Sequence, residues 1–437
     1  MPYLKQFARR IFHDTLAAID IPAAMQRKLQ RKGTVLFCSG TKIDLRDFDK
    51  LRVVAIGKAA HAMVEGLALV LSPFVRLEGV VSAPTAPRKP LAGMKYFVGG
   101  HPVPNVESWK AAEAILVLLK KCDEKTLVFF LLSGGGSALV ELPLDPAQTL
   151  EDVQQTHRAL VACGAPIDAI NTVRKHISAV KGGRLAVAAH KATKITLAVS
   201  DVPVGKESAL ASGPTLPDPT TLAEVKRIVT GYSLREKVPL PLREWLDKSA
   251  LPETPKADAA AFRNAHFFLL LGMDDLFHPA HRAAESSGFI ACCDNSTDDW
   301  PVENAAEYLV EQLEELQKTH SGRWVALIAD GEVSSPVTGN GMGGRNSAFV
   351  LACVEKIAGR KIAVLSAGTD GIDGNSPAAG AVADGDTLQR ARAAGLDSAD
   401  AFRKSDAFSF FSALDDAIVT GPTGNNLRDL RILIAEP

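Results

Sequence analysis

Two cations, each beside glycine residues, are the side chains of this sequence best suited to binding phosphate. Lys58 follows the apolar residues VVAI in VVAIGKAAHAM, and Arg345 follows four glycines in VTGNGMGGRN. The sequence predicts a helix at each position, and a cation at the start of a helix opposes the helix dipole unless an anion compensates it. The guanidinium fork also matches the oxygens of phosphate or carboxylate. Both positions therefore predict a site for an anion.

A triple-glycine loop directly after a buried strand is a second candidate anion site. The segment VFFLLSGGGSALVELP leads from apolar residues into three consecutive glycines flanked by serines. Glycines let a backbone approach a ligand closely and turn several N–H groups inward, and a serine hydroxyl adds a donor. A tight turn without a ligand would also account for the glycines. The residues predicted to bind substrate or phosphate are Ser133, Gly134, Gly135, Gly136 and Ser137.

Further basic and small residues extend the predicted binding surface. The segment INTVRKHISAVKGGRLA concentrates positive charge, although a solvated helix face would also explain this cluster. The last glycines before the arginine helix add N–H donors at a helix N-terminus, which favours anions. The additional residues predicted to contact substrate or phosphate are Arg174, Lys181, Gly343, Gly344 and Thr369.

Carboxylates that follow apolar strands are the candidates for a metal ion or a base. Asp201 follows KITLAVS, Glu332 follows WVALIAD, and Asp370 lies in SAGTDGIDG. Carboxylate oxygens suit Mg²⁺, and a carboxylate can also accept the proton of an acceptor hydroxyl. We predict all three as metal ligands, and we predict that Asp201 has a catalytic role as base or metal-positioning residue.

Two nucleotide-binding motifs can be compared with the sequence. The P-loop pattern GxxxxGK[ST] is absent, so an ATP site in this chain would be of another kind. Gly339, Gly341 and Gly344 satisfy GxGxxG, but a long segment separates them from the preceding apolar strand. The dinucleotide fingerprint requires its turn straight after the strand, which disfavours binding of a nicotinamide cofactor.

The elements that must position these residues alternate between short apolar runs and helical periodicity. Such alternation is typical of α/β proteins with a largely parallel sheet, in which ligands bind beyond the carboxyl ends of the strands. The predicted strands are Arg52–Ile56, Leu127–Leu132, Ile195–Ser200, His266–Leu271, Trp324–Ala329 and Ile362–Ser366. The predicted helices are Lys58–Leu71, Glu107–Lys121, Asp275–Ser287 and Glu303–Thr319.

Composition narrows the class of protein further. A chain of 437 residues exceeds the usual size of one hydrophobic core, which predicts two lobes. A formal net charge of -1 gives no general attraction for nucleic acid or acidic membranes. No apolar run approaches membrane-spanning length, the amino terminus has the pattern of a plain helix, and the cysteines show no CxxC spacing. We therefore predict a cytoplasmic protein that acts on small molecules.

Eight segments, in this order, resemble the class II glycerate kinases, whose carboxyl-terminal lobe is called the MOFRL domain. The segments are AIGKAA, GGHPVPN, LLSGGGSALVE, INTVRKHISAVKGGRLA, SDVP…ASGPTLPDPTT, GEVSSPVTGNGMGGRN, SAGTDGIDG and TGPTGNNLRDL. The resemblance covers nearly the whole chain. A polar stretch, KTHSGR at Lys318–Arg323, predicts a lobe boundary, and the resemblance then implies a DUF4147-like lobe at residues 1–320 and a MOFRL-like lobe at residues 321–437. Both lobes are expected to be Rossmann-like, with mainly parallel sheets flanked by helices and a deep cleft between the lobes.

The same resemblance implies a reaction. Family members transfer the γ-phosphoryl group of ATP to D-glycerate, usually giving 2-phosphoglycerate, and require Mg²⁺. The lysine of the GKA motif and the arginine of GGRN, here Lys58 and Arg345, are implied as the catalytic cations. Two positions depart from the family pattern, namely the residues after SDVP and Asn425, where threonine is usual.

Two other functions stay open on the sequence alone. Members of this family have carried the name hydroxypyruvate reductase, so an NAD(P)H-dependent reductase is the first alternative. A sugar-acid-binding protein without catalysis is the second. The expected partners are glycerate and ATP, with neither nucleic acid nor membrane, and the expected assembly is a monomer or a homodimer.

Overall fold

A computed structural model describes residues 2–72, 76–200, 202, 205–247, 251–425 and 427–437. In chain order, its helices are α1 (Pro2–Ala18), α2 (Ile21–Lys28), α3 (Ala60–Leu71), α4 (Val106–Lys120), α5 (Gly136–Leu139), α6 (Leu150–Ala162), α7 (Ile167–Ile177), α8 (Arg184–Ala188), α9 (Leu222–Gly231), α10 (Leu240–Asp247), α11 (Asp274–Ser286), α12 (Val302–Thr319), α13 (Arg345–Val354), α14 (Thr387–Ala393), α15 (Ser398–Arg403) and α16 (Ala407–Ala413).

The strands include all six that the sequence predicted. In chain order, they are β1 (Leu29–Lys32), β2 (Val35–Cys38), β3 (Thr41–Asp44), β4 (Lys50–Ile56), β5 (Glu78–Ala83), β6 (Met94–Val98), β7 (Thr126–Leu132), β8 (Thr193–Val199), β9 (Ala265–Leu271), β10 (Ile290–Cys293), β11 (Val325–Asp330), β12 (Ile362–Gly368), β13 (Gly380–Asp384), β14 (Ala417–Ile418) and β15 (Asp429–Ala435).

The chain forms two compact units, which we name after the cation that each contains. The Lys58 unit is Ile21–Leu271, and the Arg345 unit comprises the residues up to Asp20 together with Gly272–Pro437. The predicted boundary at residues 320/321 does not coincide with this division, because it falls between α12 and β11 inside the Arg345 unit.

The Lys58 unit is built on a six-stranded sheet in the order β6-β5-β4-β7-β8-β9, in which every neighbouring pair is parallel. Strand β7 is buried along its whole length, as expected for a parallel strand covered on both faces. Ile56 pairs with Leu132, and Leu132 pairs with Ala198, so β4, β7 and β8 end side by side. The predicted parallel α/β sheet is confirmed here, and the loops after these strands share one edge of it.

The Arg345 unit has a different sheet, in the order β10-β11-β15-β12-β13-β14. Only β10 and β11 pair in parallel, and the other four pairs are antiparallel. The prediction of a mainly parallel sheet was therefore wrong for this unit. The reason is that β15 inserts antiparallel between β11 and β12, and that β13 and β14 extend the sheet by further antiparallel pairs.

Helix α1 belongs to the Arg345 unit although it begins the chain. Leu4, Ala8 and Ile11 of this helix are fully buried, and the ring of Phe7 packs edge-on against Phe289 with centroids 5.6 Å apart. Helices α11 and α12 also pack on this sheet. The sequence predicted α1, α11 and α12 to lie in the amino-terminal lobe, whereas tertiary packing places them in the Arg345 unit. Among the described helices, none has both the length and the apolar character needed to cross a membrane.

Candidate active site

The loop that carries Lys58 is joined to the triple-glycine loop by hydrogen bonds. Lys58 N donates to Gly134 O at 3.0 Å, and Ala59 N donates to Ser133 Oγ at 3.0 Å. Gly57 has φ +131°, and a Cβ at this position would overlap Ser133 Oγ and lie 2.6 Å from Ser133 O. Only glycine fits at Gly57, so the sequence holds Lys58 beside the triple glycine through backbone contacts.

Lys58 itself lies just before a helix and not in its first turn. Helix α3 begins at Ala60, whereas the sequence predicted a helix from Lys58. The amide of Lys58 bonds to the neighbouring loop, which delays the start of the helix. Lys58 nevertheless lies near the positive end of the dipole of α3, as the sequence predicted. The predicted start of the helix was two residues too early.

The triple-glycine loop keeps unbonded backbone donors. Within the described part of the chain, the N–H groups of Gly134, Gly135, Gly136 and Ser137 donate to no backbone or side-chain oxygen. Gly135 has φ +81°, in the left-handed region that glycine adopts without steric cost. Consecutive free N–H groups in such a turn form a concave nest for an anion. The geometry therefore has the features that the sequence predicted for this loop.

The two serines of this loop have different roles. Ser133 is fully buried, and its hydroxyl accepts the Ala59 amide, so it positions backbone and does not reach solvent. Ser137 is half-buried, and its Oγ lies 2.8 Å from Ser212 Oγ. Ser212 Oγ in turn donates to Asn171 Oδ1 at 3.3 Å. Ser137 is thus the serine of the pair that is open to a ligand.

His101 also lies against this loop, although the sequence had suggested it only as part of the motif GGHPVPN. A Cβ built on Gly135 would lie 3.1 Å from His101 Cδ2, 3.3 Å from His101 Nε2 and 3.4 Å from Lys58 Cγ. Burial and the positive charge of Lys58 both lower the pKa of His101. The imidazole beside Lys58 is therefore neutral at neutral pH.

Lys181, predicted to contact phosphate, is instead paired inside the core. Its Nζ lies 2.5 Å from Glu141 Oε2, and the residue is 1% exposed. Glu141 also accepts from Ser178 Oγ at 2.6 Å and lies 3.0 Å from His157 Nε2. Burial opposes ionisation, but the charge of Lys181 and the contacts of His157 outweigh it and lower the pKa of Glu141 to about 2. The predicted ligand role of Lys181 is contradicted, because its charge is already balanced.

Arg174 lies close to the same pair. It is half-buried, and its Nε has no hydrogen-bond partner among the residues described. Burial lowers the pKa of Arg174, and the charge of Glu141 opposes that effect. Its contact with substrate stays a prediction, as does the role of Asp201, which lies outside the described residues.

In the other unit, two carboxylates hold the guanidinium of Arg345. Arg345 is the first residue of α13, its Nε donates to Asp429 Oδ2 at 2.5 Å, and its Nη1 donates to Glu332 Oε2 at 2.7 Å. Burial alone would lower the pKa of Arg345, but the charges of Asp429 and Glu332 outweigh it and raise this pKa. Nη2 makes no hydrogen bond to any residue that the structure describes.

Four backbone donors around the start of α13 are already used by the chain. Asp373 accepts from Asn346 N and Ser347 N, both at 2.9 Å. Gly343 N donates to Asn375 Oδ1 at 2.8 Å, and Gly344 N donates to Ser347 Oγ at 3.2 Å. The sequence predicted that N–H groups of Gly343, Gly344 and the following turn would be free for an anion. That prediction was wrong, because the chain supplies its own acceptors here.

The glycines of the GxGxxG pattern are explained by packing. A Cβ on Gly339 would overlap the backbone of Lys404, and one on Gly341 would overlap Asp406. A Cβ on Gly344 would overlap Asp373. All three glycines therefore allow close approach of the chain to itself and not to a dinucleotide.

Asp330 is a buried carboxylate of the Arg345 unit. Asp330 ends β11, is fully buried, and neither of its carboxylate oxygens has a hydrogen bond within the described chain. Arg428 Nη1 lies 3.6 Å from Asp330 Oδ1. Burial raises the pKa of Asp330 to about 6, although Arg428 and Arg431 act in the opposite direction. Asp298 pairs with Arg428 and accepts from Glu332 N at 2.8 Å, which fixes the backbone of Glu332.

The remaining predicted residues do not assemble a metal site. Thr369 is buried, and its hydroxyl accepts from Leu427 N at 3.1 Å, so this side chain holds the loop before β15 and is not exposed to solvent. Glu332 is paired with Arg345, and Asp370 Oδ1 accepts from Ile372 N at 3.0 Å. In the described ranges, no group of three or more His, Cys, Asp or Glu side chains is arranged to hold a metal ion.

Comparison with protein families gives two matches. The family described as a domain of unknown function (DUF4147) matches residues 7–247, and the MOFRL family matches residues 325–429. Together these matches include Lys58, the triple-glycine loop and Arg345.

Individual relatives extend over nearly the whole chain. A glycerate 2-kinase of Pyrococcus horikoshii is 32% identical, over 99% of this chain and 97% of its own length. The crystal structure of a glycerate kinase from Thermotoga maritima superimposes with a TM-score of 0.85 at 31% identity, with all of both chains covered. A protein of Agrobacterium vitis that carries a hydroxypyruvate reductase name is 35% identical, over 98% of this chain and 94% of its own.

Proposed function

Because the chain belongs to the class II glycerate kinase family, we infer that it is a glycerate kinase, an enzyme that transfers a phosphoryl group to D-glycerate and gives 2-phosphoglycerate. The observation that carries the mechanism is the nest of unbonded N–H groups at Gly134–Ser137, held beside Lys58. The names of the kinases of Pyrococcus horikoshii and Thermotoga maritima support the same reaction.

Phosphoryl transfer needs positioning and charge stabilisation more than covalent chemistry from the protein. The N–H groups of the triple-glycine loop are fixed before substrate arrives, so they can offset negative charge without reorganising. Lys58 adds a positive side chain at the same loop, and Arg345 supplies a second cation, whose Nη2 has no hydrogen bond to the described residues. We propose a direct transfer without a covalent enzyme intermediate, with Asp201 as the base or metal-positioning residue.

We propose ATP as the phosphoryl donor and Mg²⁺ as the required ion. The described carboxylates do not form a metal site by themselves, and Glu332 is committed to Arg345. In nucleotide enzymes, Mg²⁺ is held largely by the substrate phosphates, with one or two carboxylates from the protein. Activity measured against the concentration of Mg²⁺, with chelator as control, tests the requirement.

The reductase alternative is less well supported. The glycine pattern that resembles a dinucleotide fingerprint packs against Lys404, Asp406 and Asp373, which leaves no glycine of this pattern for a pyrophosphate. The unbonded N–H groups instead lie in the triple-glycine loop, which suits a phosphoryl group. A sugar-acid-binding protein without catalysis would have no use for a phosphate nest beside Lys58.

One set of assays separates the three functions. Purified protein is incubated with ATP and Mg²⁺, with or without D-glycerate, and ADP is measured by a method that does not use NADH. A parallel absorbance assay follows NADH and NADPH with hydroxypyruvate. We expect ADP only when glycerate is present, and phosphorus NMR should identify 2-phosphoglycerate. Oxidation of NADH or NADPH without ADP formation would support the reductase, and ligand binding without turnover would support the binding protein.

A further inference from the structure

The guanidinium of Arg345 is held on two of its three nitrogens by acidic side chains to which the sequence gave no such role. Asp429 accepts from Nε, and Glu332 accepts from Nη1. A guanidinium is planar and rigid, so fixing two nitrogens also fixes the direction of the third. Nη2 is therefore presented in one orientation.

The guanidinium of Arg345 is also available to a ligand, whereas several neighbouring backbone donors are bonded within the chain. The amides of Gly343, Gly344, Asn346 and Ser347, around the start of α13, are bonded to Asn375, Ser347 and Asp373. The guanidinium of Arg345 is therefore a main group through which this helix start can contact a substrate anion. Its orientation consequently matters more than it would in a loop with free backbone donors.

The two carboxylates differ in how firmly they are held. The side chain of Asp429 is 6% exposed, and Asp429 is the first residue of β15, where it pairs with Gly368 of β12. The side chain of Glu332 is 43% exposed and lies in the loop after β11. Asp429 cannot move without disturbing the sheet, whereas Glu332 can rotate into solvent.

We propose that Asp429 and Glu332 are positioning residues that direct Nη2 of Arg345 toward the substrate, with Asp429 as the fixed anchor. This inference rests on the proposed function, in which Arg345 stabilises the transferred phosphoryl group. A small misplacement of a catalytic group can lower turnover strongly without weakening substrate binding to the same degree. Loss of the anchor should therefore act on kcat more than on KM.

The test is a double-mutant cycle on Asp429 and Arg345. Asp429→Asn keeps the shape of the side chain and removes its charge, and we expect kcat to fall by about 10- to 100-fold with KM changed by less than about threefold. Glu332→Gln should have a smaller effect. In the Arg345→Ala background, Asp429→Asn should cause little further loss, because the group it positions is absent.

Asp416→Asn is the matched control, because Asp416 is also buried in the Arg345 unit and pairs with an arginine, Arg390, at 2.8 Å. This variant should keep the kcat of the parent protein, and circular dichroism with thermal unfolding verifies that every variant folds. Losses for Asp429→Asn and Arg345→Ala that multiply in the double variant would indicate a structural role and overturn the inference.

The outcomes also distinguish this inference from the proposed function. Absence of glycerate-dependent ADP formation by the parent protein would overturn the proposed function. Normal turnover of a folded Asp429→Asn variant, together with a slow Arg345→Ala variant, would overturn the positioning role alone. Normal turnover of Arg345→Ala would remove Arg345 from the mechanism and the positioning inference with it.

Discussion

Two glycine-rich loops of this protein look alike in sequence and differ in what they offer a ligand. In the loop after β7, the N–H groups of Gly134 to Ser137 donate to no acceptor among the described residues. At the start of α13, the N–H groups of Gly343, Gly344 and Asn346 are bonded to Asn375, Ser347 and Asp373, and the glycines of the loop accommodate neighbouring parts of the chain. Glycine spacing near a helix start thus predicts an anion nest only where the chain does not provide its own acceptor.

The same contrast holds for the two cations. The backbone of Lys58 is held by hydrogen bonds between the loops after two parallel strands that end side by side. Arg345 is placed by two carboxylates, and its surroundings are largely side-chain charges. The loop of Lys58 therefore depends on backbone contacts and the guanidinium of Arg345 on ion pairs, and each can be disturbed separately.

The largest expected effect is on catalysis and affects both units. Lys58→Ala and Arg345→Ala should each lower kcat by roughly two to four decades, the range for loss of a key electrostatic stabiliser. Steady-state kinetics of ADP formation measure this, with the exposed residues Lys110 and Arg403 replaced by alanine as charge-matched controls. If one variant keeps normal turnover while folded, that cation and its loop do not take part in the reaction.

The next largest effect tests whether Lys181 of the Lys58 unit stabilises the fold or binds a ligand. Glu141→Gln leaves the buried Lys181 without its counter-charge, and we expect a loss of about 3–5 kcal/mol in the free energy of unfolding near neutral pH. Because the pKa of Glu141 is lowered to about 2, its contribution is present above pH 4.5 and disappears as the pH falls toward 2.

Urea unfolding of the parent and the Glu141→Gln variant at several pH values from 7 downward measures this difference. The cost of the substitution should shrink as the pH falls through the window between 4.5 and 2. A cost that is the same at all of these pH values would mean that the ionised carboxylate does not stabilise the fold.

A smaller effect, on the free energy of unfolding, distinguishes the cost of a close contact at a glycine from the cost of its positive φ. Gly57→Ala places a Cβ against Ser133 and also strains a positive φ, which together should cost about 2–4 kcal/mol. Gly164→Ala has φ +78° with no atom within 4 Å of the added Cβ, so it should cost only about 1–2 kcal/mol. Chemical unfolding should show the larger loss of stability for Gly57→Ala. Only Gly57→Ala should also lower kcat, because Gly57 adjoins Lys58 and Gly164 does not. Equal costs would show that the contact with Ser133 is unimportant.

The smallest effect concerns Asp330, the buried carboxylate of the Arg345 unit. Its contribution to the free energy of unfolding falls as the pH rises, whereas that of Glu141 increases. Burial raises the pKa of Asp330 to about 6, so its stabilising contribution is present below pH 4 and is lost as the pH rises through 6. Between pH 4 and 7, the parent should therefore lose on the order of 2 kcal/mol of unfolding free energy relative to Asp330→Asn. Unfolding curves of both proteins across this range measure the effect, and a constant difference would contradict it.

The sequence alone predicted most of what is local. Apolar runs identified β4, β7, β8, β9, β11 and β12, and their glycine-rich carboxyl ends correctly located Lys58 and the triple-glycine loop. These features depend on neighbours in the chain, namely hydrophobic strands and backbone angles that only glycine adopts readily. The eight ordered motifs also identified the family.

Tertiary structure decided which donors and charges remain free. Asp429 is 84 residues from Arg345, and Asp373 is 27 residues from Asn346, so no local pattern reveals that these carboxylates occupy the arginine and the helix start. Insertion of β15 between β11 and β12 brings Asp429 to its position, and the strand direction that allows this is set by long-range pairing. The nest at Gly134–Ser137 stays open for the complementary reason that no acceptor of the described chain folds onto its N–H groups.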